Sequence, residues 1–423
     1  MQLSSLLEQA DEKQATKCYQ EAEKLYFDVL SCNEKDFSEE QENVLKYKEQ
    51  AALALLDLFV EQKQAEKIVD LTRKLRPFFG QVAKAKTAKL IRVVLDRVAL
   101  IPNSEQVQID LCLETIEWCL QEKRTFLRQR VQAKLASLYF QTQRYMESLA
   151  VLTELLKQVK KLDDKSLLLE IQLLECRVHL VLRNIPKARG ALTSARTTAN
   201  AIYVPPGLQG EVDLLAGIVS AEEHDYKTAY SYFYESFEGF SNLGDERAVS
   251  SFKYMLLCKI MTKQADDVKS LISTKFALRY TGKSVEAMLS ISRAYQNRSL
   301  AQFQQALNDY PEELTNDVVI HSHLSELYDT LLQQNILRII EPFSRVEITH
   351  IADCIGLPME TVENKISQMI LDGQLKGTLD QGANCLITFT QDTFPQTYYH
   401  SLQTMKEMSR VVDILFENAS LLT

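Results

Sequence analysis

QRYMESLAVLTELL (residues 143–156), RNIPKARGALTSAR (183–196) and HDYKTAYSYFYESF (224–237) align position for position without a gap. Tyr145, Ile185 and Tyr226 hold the same place in each and lie 40 and 41 residues apart. Three residues further on, each segment has a small side chain: Ser148, Ala188 and Ala229. An earlier copy, KCYQEAEKLYFDVL (17–30), repeats the relation with Tyr19 and Ala22. A period of this length marks a helical-repeat architecture, in which every hairpin leaves an apolar face uncovered and must stack on the next. The small residue lets two helices approach closely, and the larger one a turn away fills the mouth of the pair. Between copies, Leu127, Val131, Leu135, Leu138 and Tyr139 recur at helical spacing and predict an amphipathic partner helix.

The bulk composition fits long helices joined by short turns. Twelve glycines and nine prolines are about 5% of the 423 residues, against roughly 12% in average usage. The period is nearer 40 than the 34 residues of tetratricopeptide repeats, so the hairpins are degenerate TPR-like ones. A net charge of −9 and pI near 5.4 argue against a chain built to grip a phosphate backbone. No apolar run approaches the ~18 residues of a membrane span, and MQLSSLLEQADEK lacks the basic start of a secretory leader. An intracellular protein is expected. Eight cysteines are scattered without a C-x-x-C pair, and most sit among apolar neighbours. Reduced core thiols are expected rather than disulfides or zinc.

Near residue 340 the pattern changes. Seven of the 21 Gly and Pro residues fall between Pro342 and Pro395. RVEI (345–348) reads as a short strand, and THIADCIGL as a helix closed by Gly356. METVENKISQMILD reads as a second helix, with Val362, Ile366, Met369 and Ile370 inward. LKGTLD and CLITF then flank QGAN, a hairpin signal. Strand, helix, helix, hairpin is the order of a winged helix. After Pro395, Met405, Met408, Val412, Leu415, Ala419 and Leu422 are spaced 3, 4, 3, 4, 3, a heptad seam widened by Val411, Ile414 and Phe416. Such a face needs partner helices, from other chains by expectation.

Helical repeats that run into a winged helix resemble the PCI domain, shared by the proteasome lid, the signalosome complex and eukaryotic initiation factor three. EKRTFLRQRVQAKLASLYF (from Glu122), KARGALTSARTTANAIYVPP (from Lys187), YFYESFEGF (from Tyr232), KYMLLCKIM (from Lys253), IIEPFSRVEITHI (from Ile339) and KISQMILDGQLKGTLDQG (from Lys365) are similar to the PCI-domain subunit family of the proteasome lid. The likeness runs from about residue 60 onward. It implies a mainly α protein: a right-handed α-solenoid of TPR-like hairpins, the winged helix of the PCI module, and a terminal bundle helix. The implied segments are 1–222 for the N-terminal repeats, 223–338 for the helical part of the PCI domain, 339–392 for the winged helix and 393–423 for the bundle helix. It further implies a non-catalytic scaffold of cytoplasm and nucleus, without cofactor, that clamps lid, ATPase ring and core particle together. The implied partners are other PCI subunits and deubiquitinase subunits of the lid, the ATPase ring and the core-particle α-ring, with no nucleic acid and no membrane. A signalosome PCI scaffold is the alternative, and a winged-helix nucleic-acid-binding regulator the second.

Candidate sites follow. The second wing helix, 359–372, has Glu360, Glu363 and Asp372 against Lys365 alone, the wrong sign for a DNA groove. Strand pairing through LKGTLD and CLITF, with Leu386 and Ile387, is expected instead. His321 and His323 evoke the zinc deubiquitinases of the same complexes, but Leu331 and Gln334 stand where that signature needs serine and aspartate. Residues i and i+2 of a helix also diverge too far to share a metal, so both are expected on the surface. No Gly-rich phosphate loop, G-x-S-x-G elbow or Cys/His pair appears, and no catalytic or metal residue is assigned. The basic stretch 73–92 carries Arg73, Lys74, Arg76, Lys84, Lys86, Lys89 and Arg92 without an acid, and a second cluster is Lys123, Arg124, Arg128, Arg130 and Lys134. Either both are solvated helix faces, or Lys84, Lys86, Lys89 and Arg92 dock an acidic partner such as a core-particle α subunit.

Overall fold

The computed structural model describes residues 6–7, 9–10, 12–13, 18–31, 41–102, 104–274, 277–280, 282–315, 317–389 and 396–420. The chain divides into two compact units, Met1–Asp245 and Glu246–Thr423.

Unit one is a stack of antiparallel helices: α1 (Tyr19–Ser31), α2 (Gln41–Glu61), α3 (Ala65–Gln81), α4 (Lys84–Val98), α5 (Glu105–Gln121), α6 (Thr125–Gln141), α7 (Tyr145–Leu162), α8 (Lys165–Val181), α9 (Ile185–Asn200), α10 (Pro206–Glu222) and α11 (Tyr226–Leu243). The repeat alignment holds in three dimensions. Ala22, Ser148, Ala188 and Ala229 are each fully buried. Ser148 also donates its hydroxyl to the Ala136 carbonyl at 2.9 Å, and Tyr145 meets the Phe140 ring edge-on at 5.8 Å. Closest approach comes between α10 and α11. There Gly210 and Gly217 face Phe240 and Phe233, and the Ser236 hydroxyl donates to the Gly210 carbonyl at 2.9 Å. Neighbouring repeats are also tied by surface ion pairs about one period apart in sequence, such as Arg97–Asp57 at 3.1 Å and Arg183–Glu222 at 2.7 Å.

The turns explain how so little glycine suffices. Lys63, Lys123, Gln143, Asp163, Arg183, His224, Lys263 and Arg298 all adopt positive φ between 50° and 64°. Each follows a helix and reverses the chain in the left-handed conformation that usually falls to glycine. The turn is held by backbone hydrogen bonds on either side, as where Arg144 N–H reaches the Tyr139 carbonyl at 2.8 Å. Apart from Gly244, which follows α11 at φ 69°, helix closure in the solenoid therefore carries no glycine signature in the sequence.

Unit two begins with α12 (Arg247–Met261), α13 (Ala265–Ile272), α14 (Lys283–Gln296), α15 (Leu300–Asp309), α16 (Pro311–Thr315) and α17 (Val318–Ile340). α12 is buried along most of its length, and a polar cluster pins it. Tyr254 donates its hydroxyl to Asp317 at 2.9 Å, and buried Lys253 lies 3.8 Å from the same carboxylate and 3.6 Å from Glu313. Asp317 also caps α17 by accepting from Val319 N–H at 3.2 Å. Burial, then the Asp317 charge, holds the Tyr254 phenol well above its ordinary range, so it stays a donor. Asp317→Ala removes a cap, the acceptor of the buried Tyr254 hydroxyl and one of the two carboxylates beside Lys253, and is expected to cost about 2–4 kcal/mol, read from hydrogen exchange of α17 amides. A loss below about 1 kcal/mol, the worth of an ordinary cap, would refute the shared role.

The winged helix follows in the expected order: β1 (Arg345–Glu347), α18 (Ile348–Ile355), α19 (Met359–Leu371), β2 (Gly377–Asp380) and β3 (Cys385–Thr388). Ile348 was expected in the strand but opens α18, its N–H bound to the Asn384 carbonyl at 3.0 Å. Gly356 and Gly373 close the two helices at φ 75° and 71°. Val362, Ile366 and Met369 pack inward as expected, whereas Ile370 is only half-buried. The sheet order is β1-β3-β2, with Val346 and Leu379 both opposite Leu386. A Cβ on Gly377 would lie 2.6 Å from the Ile387 carbonyl oxygen, so this strand start admits only glycine. The last helix is α20 (Gln396–Ser420). No described helix is long and apolar enough to cross a membrane.

Candidate functional site

Among the described residues, no group of three or more His, Cys, Asp or Glu is placed to hold a metal ion. Cys112, Cys119, Cys176, Cys258 and Cys385 are buried, but Cys18 and Cys354 are exposed, which corrects the expectation of uniformly buried thiols; Cys32 lies outside the described residues. Burial pushes Cys112, Cys176 and Cys258 up to about 12, which keeps them protonated and unreactive. The two histidines diverge as helix geometry requires, yet only His321 is on the surface. His323 is 2% exposed, because one face of α17 is packed inward.

What remains is surface, and three parts of it are built for contact. The first is the start of α4. Lys84, Lys86, Lys89 and Arg92 are all exposed, and their charged groups have no ion pair among the described residues. α4 has no acidic residue in its first turn. Lys84 and Lys86 thus sit in the first turn, at the positive end of a helix dipole, where cations are disfavoured by about 0.3–1 kcal/mol each. An arrangement that weakens its own helix is easier to understand if an anionic partner offsets it.

The rest of the basic sequence has other duties. Arg73 and Arg76 converge on Glu114 of α5, at 2.5 Å and 3.1 Å. Lys74 lies over the Phe27 ring at 4.5 Å. In the second cluster, Arg124 stacks on Trp118 at 4.7 Å and donates to the Phe79 carbonyl at 3.0 Å. Arg128 donates to Gln158 at 2.7 Å, and Lys134 pairs with Asp96 at 3.4 Å. Arg73, Lys74 and Arg76 are exposed, as a solvated face requires, but with their charged groups paired or stacked they add no continuous cationic patch.

The second surface is the wing. CLITF was expected to offer a free strand edge, but β3 is the central strand, paired on both sides. Leu386 is fully buried and Ile387 half-buried. The open edges belong to β1 and β2. Burial alternates along β1 and β2 but not along β3, where Cys385 and Leu386 are buried in succession. α19 keeps its acidic character, and Lys365, its one cation, is drawn to Asp329 of α17 at 3.2 Å.

The third is α20. Every residue from 397 to 420 is exposed, Ala419 included. Met405, Met408, Val411, Val412, Ile414, Leu415 and Phe416 are between 55% and 76% exposed. Leu422, the last residue of the expected seam, lies outside the described residues. Seven large apolar side chains on one uncovered helix far exceed the scattered apolar exposure of an ordinary surface. Sequence reading missed a further exposed aromatic, Phe126, which is 63% exposed on α6. Its signal was that it falls off the inward stripe of Leu127, Val131, Leu135 and Leu138.

Comparison with known proteins bears on all three surfaces. Residues 3–142 match the family described as the 26S proteasome regulatory subunit RPN6 N-terminal domain, and residues 288–390 match the PCI domain. A 26S proteasome non-ATPase regulatory subunit 11 homolog of Arabidopsis thaliana is 55% identical, over 88% of this chain and 89% of its own length. A probable 26S proteasome regulatory subunit rpn6 of Schizosaccharomyces pombe is 46% identical over 99% of both chains. The 26S proteasome regulatory subunit RPN6 of Saccharomyces cerevisiae is 40% identical over 99% of both. Identity at this level, over chains matched almost end to end and including both family domains, means that this chain belongs to the RPN6 family of 26S proteasome regulatory subunits.

Proposed function

We propose that the chain is a scaffold subunit of the 26S proteasome lid, which supports ubiquitin-dependent degradation by holding other subunits in place rather than by chemistry of its own. The observation that carries this is α20. A 25-residue helix with an uncovered apolar seam, in a chain matched end to end by proteasome regulatory subunits, is a joint waiting for neighbouring helices. In this reading α20 enters a bundle with other lid subunits, including those carrying deubiquitinase activity. The β1 and β2 edges pair with partner strands. The lysines of α4 reach an acidic surface of the core-particle α-ring or the ATPase ring, in cytoplasm and nucleus alike. Every relative named above is a proteasome subunit, which favours the lid over the signalosome. The acidic α19 speaks against nucleic acid as the partner.

The lysine contact has a direct test. Lys84→Glu, Lys86→Glu and Lys89→Glu together are expected to weaken association of the full chain with core particle about ten-fold at low salt, and to flatten its salt dependence. Native gels of reconstituted assemblies across a salt series would read this. Unchanged assembly at every ionic strength removes the contact from the reading.

A further inference from the structure

A groove of about 770 Å³ runs across unit one, walled by α4, α6, α8 and the Glu211 side of α10. Its floor is apolar, with Ile91, Leu95, Leu127, Val131 and Ile171 among the lining residues. Exposed Phe126 stands in the wall. A hollow of this size, apolar beneath and polar at the sides, is what a recognition cleft needs.

The charges around it are unevenly satisfied. At the α8–α10 end, Arg177 pairs with Glu211. Asp164 accepts from the Leu167 N–H and the Ser166 hydroxyl as the cap of α8. On the α4–α6 side Lys134 is paired with Asp96 at 3.4 Å, but the guanidinium groups of Arg92 and Arg130 have no hydrogen bond or ion pair among the described residues. The one unbonded acid in the wall is Glu170; burial raises its carboxyl above the ordinary range, against the opposing pull of Arg130 and, more weakly, of Arg92. Lys84 continues the cationic side, because 84, 88, 91 and 95 fall on one stripe of α4. Left over, then, are two guanidinium forks without a hydrogen bond, one lysine in line with the α4 side and an exposed aromatic ring over an apolar floor.

We infer that this groove binds an extended acidic peptide segment of a partner protein, which lays carboxylates on Arg92 and Arg130 and one large apolar side chain against Phe126. Guanidinium forks suit carboxylates because they donate two parallel hydrogen bonds at once. The apolar floor supplies the anchor that charge alone lacks. The inference deepens the docking role proposed for α4, and rests on it for the existence of an acidic partner.

The test uses the full chain and a fluorescein-labelled twelve-residue peptide of glutamates flanking a central Leu-Phe pair, followed by fluorescence anisotropy. Two comparators replace either the glutamates or the Leu-Phe pair with serine. The parent peptide is expected to bind at least ten-fold more tightly than either comparator. Arg92→Glu with Arg130→Glu, and separately Phe126→Ser, are expected to weaken it ten-fold or more, while Lys157→Glu on exposed α7 surface leaves it unchanged. Phe126 is 63% exposed, so its removal opens no cavity, and an unchanged thermal midpoint checks that the fold is intact. Absence of binding, equal binding of the serine comparators, or indifference to the groove variants each overturns the inference. The α4 lysine triple variant separates the two readings. If it disrupts core-particle association while the peptide fails to bind, the docking role stands and the groove falls. If association survives the triple variant but the peptide binds as described, the groove stands and the lysine contact falls.

Discussion

Gly217→Val is expected to destabilise unit one by about 3 kcal/mol, near the upper end for overpacking a helix interface. A Cβ at this position would lie 2.5, 2.6 and 2.9 Å from three carbons of the Phe233 ring. Phe233 is 1% exposed and cannot swing into solvent. Even Gly217→Ala requires α10 and α11 to part. The same change at Gly190, in the middle of α9, meets nothing within 4 Å. Gly190→Ala should therefore stabilise by up to about 1 kcal/mol, since alanine loses less backbone freedom in a helix. Two mid-helix glycines in one solenoid thus predict shifts of opposite sign. Hydrogen exchange of α9–α11 amides in the full chain resolves them, and Gly217→Ala with Phe233→Leu should recover part of the loss. A stabilising Gly217→Ala would mean that the close approach of α10 and α11 is not real.

Met408→Asp with Leu415→Asp is expected to abolish stable incorporation of the chain into lid assemblies, by at least 100-fold in apparent affinity. The two positions are seven residues apart on one stripe of α20 and are 65% and 62% exposed. Each, once covered by a partner, contributes roughly 1.5–3 kcal/mol, and an aspartate left in the same place is an unpaired buried charge. Together these exceed the roughly 2.7 kcal/mol that a 100-fold change represents. The isolated chain should melt as before, since neither side chain is buried within it. Loss of assembly with an unchanged melting profile is the signature of a docking helix. Incorporation at wild-type level, measured by size exclusion of reconstituted lid, would sink the scaffold role given to α20.

The two predictions differ in how far the sequence anticipates them. The α20 seam was legible as far as Ala419 from its 3, 4 spacing, because a single helix carries its own periodicity. The same holds for the repeat register, where Ala22, Ser148, Ala188 and Ala229 turned up buried as their spacing required. The winged-helix order was also legible, since Gly356, Gly373 and the hairpin residues punctuate it locally. Gly217 was not singled out, because its need for a missing Cβ depends on a ring sixteen positions later on the facing helix. Nor were the turns, whose left-handed residues are lysine, arginine, glutamine, aspartate and histidine rather than glycine.

Charge was the least legible feature. Seven cations in 73–92 looked alike, yet Arg73 and Arg76 share a pairing with Glu114, 41 and 38 residues away in sequence. Arg124 and Arg128 serve internal packing. Only contact across the stack separates these from the unpaired Lys84, Lys86 and Lys89.

The amino-acid order alone thus determined the period of the solenoid, the identity of its wing and the apolar seam of its last helix. All three follow from spacings within one or two turns of chain. Only the tertiary structure decided which strand is central, which histidine lies inside and which cations stay free. Those outcomes depend on what a distant segment presents across a packed interface, and no local spacing carries that information.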